Sequence, residues 1–250
     1  MAFLDPVLSP LLKFPPVWVV LGLSLFISLL IIVIYKFTTN QALMKQLKEE
    51  MKASQKQMKE LREQPEKMIE VQKKAMQANM KYMSHSMKST LFTFLPIIVL
   101  FGWMNAHYAF IPIAPGDAFN TTITTRNLAS GEVTIEVPEE IEVVDGNTTQ
   151  QISDNKATWL LKAKQNGEYF LNYKIGNQLY SKELLVTEEQ SYAEPVNRIK
   201  DKNAPVNEIR INYRPLKIAN LFGWKIGWLG TYIISSIIFS MLLRKWFKVY

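Results

Sequence analysis

Three long apolar runs interrupt an otherwise polar chain, and the predicted elements follow from them. Residues 17–35 are nineteen consecutive residues without a charge. At about 1.5 Å per residue they are long enough to cross a hydrocarbon core of roughly 30 Å. Similar runs cover about 91–113 and about 221–243. We therefore expect three transmembrane helices.

The segment between the first two runs has apolar residues at helical spacing. Seven-residue spacing is typical of a coiled-coil seam, and Pro65 divides the segment into two helices, which predicts a hairpin. The spaced residues are Met44, Leu47, Met51, Ser54, Met58 and Leu61 before the proline, and Ile69, Met76, Met80, Met83 and Met87 after it. Because methionine is unbranched and polarizable, these side chains form either the hairpin's own core or an adaptable surface for varied apolar ligands.

The region after the second run alternates apolar and polar positions, which is typical of strands with one buried face. Turn sequences at Asn166-Gly167 and Gly176-Asn177 predict hairpins. The expected strands cover residues 133–137, 141–144, 157–163, 169–175 and 178–186, while the loop 111–122 precedes them and a polar strap with three prolines, 191–215, follows them. A small antiparallel sandwich is the expected fold of this region.

The expected fold class is an α-helical membrane protein with three transmembrane helices, a cytosolic helical coiled-coil hairpin and an inserted extracytosolic β-rich, sandwich-like domain. In chain order the predicted parts are an outer interfacial segment (1–16), transmembrane helix 1 (17–36), the methionine-rich hairpin (37–90), transmembrane helix 2 (91–113), the β-rich domain and strap (114–217), transmembrane helix 3 (218–243) and a cytosolic basic tail (244–250). Pro96 is expected to bend or loosen the second transmembrane helix.

The distribution of charge gives the predicted orientation. Residues 36–90 carry twelve lysines and arginines against six acidic residues, whereas residues 111–220 carry twelve against fifteen. Basic residues near the ends of spans favour the cytosolic side. We expect the hairpin and the C-terminus in the cytosol and the N-terminus outside. Asn120 and Asn147 begin N-x-[ST] tripeptides in the predicted outside domain and are candidate glycosylation sites.

Residues that could carry catalysis are sparse. The chain has no cysteine and two histidines, which excludes disulfides, thiol nucleophiles and cysteine metal sites. It contains no glycine-rich phosphate loop, no nucleophile elbow and no HExxH motif. We therefore expect no enzymatic activity, no cofactor and no metal.

Hydroxyl side chains instead recur about one turn apart within the predicted spans. They are Ser24 and Ser28 in the first span and Thr231, Ser235, Ser236 and Ser240 in the third. Such residues either allow helices to pack closely or line a wet groove, whose cytosolic mouth would be flanked by Lys36 and Lys88.

The order of these parts resembles the archaeal YidC-like proteins of the Oxa/YidC/Alb insertase superfamily, whose relatives include the third subunit of the endoplasmic reticulum membrane protein complex and the Get receptor subunit. The stretches that carry the resemblance are FLDPVLSPLL (3–12), TFLPIIVLFGWM (93–104) and GWLGTYIISSIIFS (227–240). The chain departs from the pattern in its large β-rich insertion. It also has no arginine within a predicted span, whereas bacterial members resemble a pattern with an arginine inside the groove.

The resemblance implies an insertase in an archaeal plasma membrane, which receives nascent or exposed hydrophobic segments on the hairpin and passes them to the lipid bilayer. The expected client contacts are Met76, Met80, Met83 and Met87, and the expected groove residues are Ser24, Ser28, Thr231, Ser235 and Ser240, with Lys36 and Lys88 at the mouth. The ribosome is a further expected partner, because the hairpin is basic. The partner of the β domain is unknown from sequence.

One competing interpretation is a structural or receptor-like membrane protein. It would bind an extracytosolic partner through the β domain and oligomerise through the coiled coil. A channel or transporter is the third interpretation. Binding of nascent apolar segments distinguishes the insertase from the receptor, and ion flux identifies the channel.

Overall fold

Short helical turns precede the first apolar run in the computed structural model, which describes residues 4–61, 63–126 and 131–247. The turns are helix α1 (Asp5–Leu8) and a 3-10 helix (Ser9–Lys13). Helix α2 (Pro16–Thr38) follows, and Pro16 suits its first turn because the ring fixes φ near the helical value. Residues 1–3 of the predicted interfacial segment and 248–250 of the predicted tail lie outside the described residues.

The hairpin and the second apolar run form two helices. Helix α3 is Gln41–Glu60 and helix α4 is Pro65–Tyr108. Helix α4 has 44 residues and is about 66 Å long, so the predicted second arm and second span are one element. It continues through Pro96. It ends at Tyr108 and not at 113, because Pro112 disfavours the helical conformation of the residue before it.

The third apolar run is divided between a β-hairpin and a helix. Helix α5 is Trp228–Phe247, whereas we predicted a span from residue 218. Gly223 and Gly227 are poor helix formers, and Gly223 has a φ of +92°, which no right-handed helix accommodates. By length and composition, α2 and α4 are the two described helices able to cross a membrane. A third span at α5 stays a prediction.

The described residues divide into two compact units. The sandwich unit is Trp103–Gly227. The helical unit consists of the chain up to Gly102 together with the chain from Trp228 onwards. Helix α4 therefore contributes its last six residues to the sandwich unit and the rest to the helical unit.

The sandwich unit contains eleven strands within its described residues. They are β1 (Ala118–Thr125), β2 (Glu132–Glu136), β3 (Ile141–Val143), β4 (Thr149–Gln151), β5 (Lys156–Ala163), β6 (Gly167–Ile175), β7 (Gln178–Val186), β8 (Val196–Arg198), β9 (Val206–Asn212), β10 (Ala219–Leu221) and β11 (Trp224–Ile226). One sheet has the order β3-β5-β1-β9-β8, a second has β4-β2-β6-β7, and β10 pairs with β11. All strand pairs are antiparallel, which confirms the prediction of a β-rich region.

One hydrophobic core joins the two larger sheets. Trp159 on β5 and Tyr173 on β6 are fully buried in it, with ring centroids 5.7 Å apart. The Tyr173 hydroxyl lies 2.5 Å from Thr121 Oγ1 on β1, so the buried phenol has a polar partner. Burial raises the pKa of Tyr173, because the charged form loses its hydration.

Two segments that we expected to be irregular belong to the sandwich. Strand β1 begins inside the predicted loop, and β8 and β9 lie inside the predicted strap. Val206, Ile209 and Ile211 of β9 are buried, but Val206 and Ile209 are three residues apart. The pairing of β9 with β1 shifts register between Thr124 and Thr125, and this irregularity breaks the alternation that reveals a strand.

The chain enters and leaves the sandwich through paired linkers. The Ile111 N–H donates to the Arg214 carbonyl at 2.8 Å, and the Leu216 N–H donates to the Ala109 carbonyl at 3.0 Å. The side chain of Gln190 donates to the carbonyl of His107 at 2.6 Å. The sandwich unit therefore provides partners for backbone groups at the end of α4, where a helix leaves its last carbonyls unpaired.

Candidate functional site

Helices α2 and α5 of the helical unit pack against each other through small hydroxyl side chains. Ser24 and Ser235 are buried, and their Oγ atoms are 2.9 Å apart. The Ser235 Oγ also lies 2.7 Å from the carbonyl oxygen of Thr231, while the Ser24 hydroxyl donates to the Val20 carbonyl at 2.6 Å. Small side chains allow this close approach. Three of the proposed groove residues, Ser24, Thr231 and Ser235, thus lie at the helix contact.

An open groove of about 460 Å³ lies between the same two helices. Its lining residues are Ser28 and Ile31 of α2, and Tyr232, Ser236, Ile237, Ser240, Met241 and Arg244 of α5. Of the five residues that we expected to line a groove, Ser28 and Ser240 are among the lining residues of this one. Tyr232, Ser236, Ser240 and Arg244 follow one another at intervals of four residues, which places them in one row on α5. We call this feature the hydroxyl groove.

Arg244 gives the hydroxyl groove a permanent positive charge. Sequence reasoning assigned Arg244 to a basic tail, but it lies in the last turn of α5. Its guanidinium carbon is 5.5 Å from the ring centroid of Tyr35 on α2, within the range of a cation–π contact. Four-residue spacing from Ser240 was the signal that could have placed it in the groove.

The two lysines predicted at the groove mouth have different surroundings. Lys36 Nζ is 5.9 Å from the ring centroid of Phe247, so it lies against the end of α5. Lys88 on α4 is exposed. Neither lysine is among the lining residues of the groove.

Helix α4 also buries hydroxyl groups that sequence reasoning missed. Ser89 and Thr93 are buried, and Thr93 Oγ1 donates to the carbonyl of Thr90 at 3.0 Å. The Ser89 Oγ has no hydrogen-bond partner within the described part of the chain. A buried hydroxyl that has neither a protein nor a water partner lowers the stability of the folded state. In the sequence, the only indication that Ser89 and Thr93 share a face was their spacing of four residues in a helix that contains both polar and apolar positions.

Four methionines on α4 form an exposed row that we call the methionine stripe. Met76, Met80, Met83 and Met87 are between 56 and 63 % exposed, and their spacing of three or four residues places them on one face. The row continues at the same spacing through further exposed residues, namely Leu91, Phe94 and Ile98. A continuous apolar surface therefore runs along α4 from the hairpin into its apolar segment.

The methionines of α3 form a second row, which we call the methionine seam. Met44 is fully buried and packs in a cluster with Ile32 and Tyr35 of α2 and with Tyr82 of α4. Met51 and Met58 are half-buried. The heptad positions of α3 are thus its covered face, although a supercoiled coiled coil stays a prediction.

The two candidate glycosylation sites occupy different structures in the sandwich unit. Asn120 lies in β1, paired with Leu160 on one side and Asn212 on the other. Asn147 is exposed in the turn before β4, and its Oδ1 accepts a hydrogen bond from the Thr149 N–H at 3.1 Å. Both asparagines are exposed, one within a paired strand and the other in a loop.

The described ranges contain no group of three or more histidine, aspartate or glutamate residues arranged to hold a metal ion. The candidate site is therefore built from hydroxyls, one arginine and methionines.

The matching family model carries the description "Integral membrane protein EMC3/TMCO1-like" and covers residues 2–137. The matched region is more than half of the chain and ends after β2, so it includes the methionine stripe and seam but not α5. Comparison with curated proteins and with solved structures gave no match.

Proposed function

The chain belongs to the EMC3/TMCO1-like family of integral membrane proteins, within the Oxa/YidC/Alb insertase superfamily, and on this premise we propose that it is a membrane insertase. Its clients are nascent or exposed hydrophobic segments of other membrane proteins. The observation that carries the proposal is that one unit holds both an open hydroxyl groove and a continuous exposed apolar row on α4.

The methionine stripe receives the client. An apolar segment in water gains about 25 cal/mol per Å² of surface that it buries, and four exposed methionines provide such a surface. Because methionine side chains are flexible and polarizable, they adapt to clients of different shape. Leu91, Phe94 and Ile98 continue the row, so a bound segment moves along one helix face toward lipid without crossing a polar gap.

The hydroxyl groove lowers the barrier for the polar flank that a client must carry across. Each polar group that enters hydrocarbon without a partner costs several kcal/mol. Ser28, Ser236 and Ser240 line a groove open to its surroundings, where they and water serve as partners. Arg244 at the end of the row attracts acidic groups of the flank. The client's own partition into lipid drives the step.

The proposed topology has α5 as the third span, the N-terminus outside, and the hairpin and C-terminus in the cytosol of an archaeal cell. The excess of basic residues in 36–90 and of acidic residues in 111–220 supports this orientation. The hairpin acts as a chaperone and offers basic charge to the ribosome, and the sandwich unit faces a separate extracytosolic partner. No covalent chemistry is part of the mechanism.

Site-specific photo-crosslinking tests the proposal during synthesis of a membrane protein with a short translocated tail. Probes at Met80, Met83 and Ser236 are expected to form client adducts. A probe at Lys81 is the matched control, since Lys81 is exposed on another face of the same helix. Absence of adducts at all three test positions, or equal adducts at Lys81, would contradict the insertase.

The receptor-like interpretation makes the opposite prediction for the purified chain. A receptor that assembles through its hairpin forms stable oligomers and does not bind nascent apolar segments. Measuring the mass of the detergent-solubilised chain, with and without ribosome-bound nascent chains, distinguishes the two.

A further inference from the structure

The turn between β10 and β11 places an aromatic side chain where turns normally have a small polar residue. Phe222 and Gly223 form the tip, and both have positive φ, +51° and +92°. A two-residue turn of this kind favours Asn-Gly or Asp-Gly, because a larger side chain is strained in the left-handed region. The Phe222 side chain is fully exposed, so among the described residues no packing compensates for the strain.

Two other hairpin tips of the sandwich unit show the usual choice. The turn between β4 and β5 has Asp154 and Asn155 at positive φ, and the turn between β6 and β7 has Gly176 at positive φ followed by Asn177. Asp154, Asn155 and Phe222 are the non-glycine residues with positive φ among those described. All of these tips are exposed, so Phe222 is the exception in its chemistry, as a large apolar side chain on an exposed tip.

The residues around Phe222 extend the apolar surface. Leu221 and Trp224 are a directly opposed pair in the hairpin, and both are exposed. Lys225 follows Trp224. Aromatic residues next to a lysine are typical of the membrane–water interface, where the ring lies at the level of the headgroups and the ammonium reaches water.

The chain holds this hairpin close to helix ends. Gly227 alone separates β11 from α5, so the tip is six residues from Trp228 and no more than about 20 Å away along the chain. Just before the hairpin, the Leu216 N–H donates to the carbonyl of Ala109, the residue after α4 ends. Helix α4 is one of the two described helices able to span a membrane.

We propose that the β10–β11 hairpin is a membrane-interface anchor, which inserts Phe222, with Leu221 and Trp224, among the lipids of the leaflet on the side of the sandwich unit. The lipid acyl boundary is the occupant of the exposed surface, and burial there compensates for the strained turn. The proposal rests on two premises: the family consists of integral membrane proteins, and α5 is a transmembrane span. It does not depend on insertase activity.

Single-cysteine labelling of the full chain tests the anchor, because the natural sequence has no cysteine. The chain is reconstituted in phosphatidylcholine nanodiscs with an environment-sensitive fluorophore at Leu221→Cys. The control fluorophore is at Asn177→Cys, on an exposed polar hairpin tip. We expect lipid-borne nitroxides to quench the Leu221→Cys label several-fold more than the Asn177→Cys label, and iodide in solution to show the reverse order.

Substitution of Phe222 separates anchoring from folding. Phe222→Asn creates the favoured Asn-Gly turn and keeps the hairpin, so it is expected to reduce lipid quenching of the Leu221→Cys label at least twofold without lowering thermal stability. Phe222→Leu keeps an apolar side chain at the tip and is expected to retain the lipid quenching of the Leu221→Cys label. The proposal is overturned if the two label positions are quenched equally or if Phe222→Asn has no effect on quenching. It is also overturned if the Leu221→Cys label is protected from iodide without being quenched by lipid nitroxides, the result that a protein partner or a second copy would give.

Discussion

The methionine seam of α3 and the methionine stripe of α4 use the same side chain in opposite surroundings. Met44 in the seam has no exposed surface and lies in a cluster with residues of α2, α4 and α5, whereas the four stripe methionines are more than half exposed. In the seam the flexible thioether fills space in a core. In the stripe the same flexibility is available to a partner. The helix face on which a methionine lies, and not the residue type, therefore determines whether its side chain packs in a core or is open to a partner.

Shortening Met44 gives the largest expected effect on this comparison. Met44→Ala removes a fully buried side chain from the cluster around Ile32 and Tyr35, and such truncations cost about 2–5 kcal/mol of stability. Met80→Ala is the matched control, because the side chain is exposed on the adjoining arm and surface changes are usually within about 0.5 kcal/mol. Thermal unfolding in detergent compares them. Equal loss in both variants would remove the distinction between seam and stripe.

The hydroxyls of α5 show the same division between buried and open positions. Ser235→Val places two methyl groups at the contact with Ser24, and overpacking of this kind costs about 1–3 kcal/mol. Ser236→Val changes a half-buried wall of the groove and is expected to leave stability unchanged while it lowers insertion of clients with polar flanks. Unfolding and insertion assays are run on both. If Ser236→Val destabilises the chain as much as Ser235→Val, the groove is a packing surface.

Replacing the stripe tests its role in client binding. Glutamine at Met76, Met80, Met83 and Met87 keeps side-chain length and helix propensity but removes the apolar surface. Client adducts with a probe at Leu91, the next exposed residue of the same row, are expected to fall about tenfold, equivalent to about 1.4 kcal/mol, with unfolding unchanged. The control is leucine at Met44, Met51 and Met58, which preserves an apolar seam and is expected to preserve adducts. Unchanged adducts in the glutamine variant would show that clients bind elsewhere.

Sequence periodicity predicted much of the helical unit. The uncharged run from Val17 predicted α2, and seven-residue spacing predicted which face of α3 is covered. It left open which face of α4 is covered, because apolar residues occupy several faces of that helix. Burial of Ala78 and exposure of Met80 depend on packing partners distant in the sequence, and periodicity does not contain that information.

Elements were missed where an apolar composition has more than one structural outcome. We assigned residues 218–226 to the third span, yet a turn at Phe222-Gly223 makes residues 219–226 a hairpin. The register shift beside Thr125 hid β9. We assigned Arg244 to the tail because it follows the apolar run. It lies four residues after Ser240 on α5, and its side chain therefore lines the groove.

Removal of the N-cap of α3 gives the smallest expected effect and distinguishes seam packing from local helix propensity. Asn40 Oδ1 accepts hydrogen bonds at 3.1 Å from the N–H groups of Ala42 and Leu43, and loss of such a cap costs about 1 kcal/mol. Asn40→Ala is expected to speed amide hydrogen exchange of Ala42 and Leu43 about fivefold, while Asn40→Asp, which retains the cap, leaves it unchanged. Because Met44 anchors the same turn through tertiary packing, exchange at the stripe should not respond. Faster exchange at Met80 or Met83 would mean that the two rows unfold as one cooperative unit, and seam and stripe would then share their stability despite their opposite surroundings.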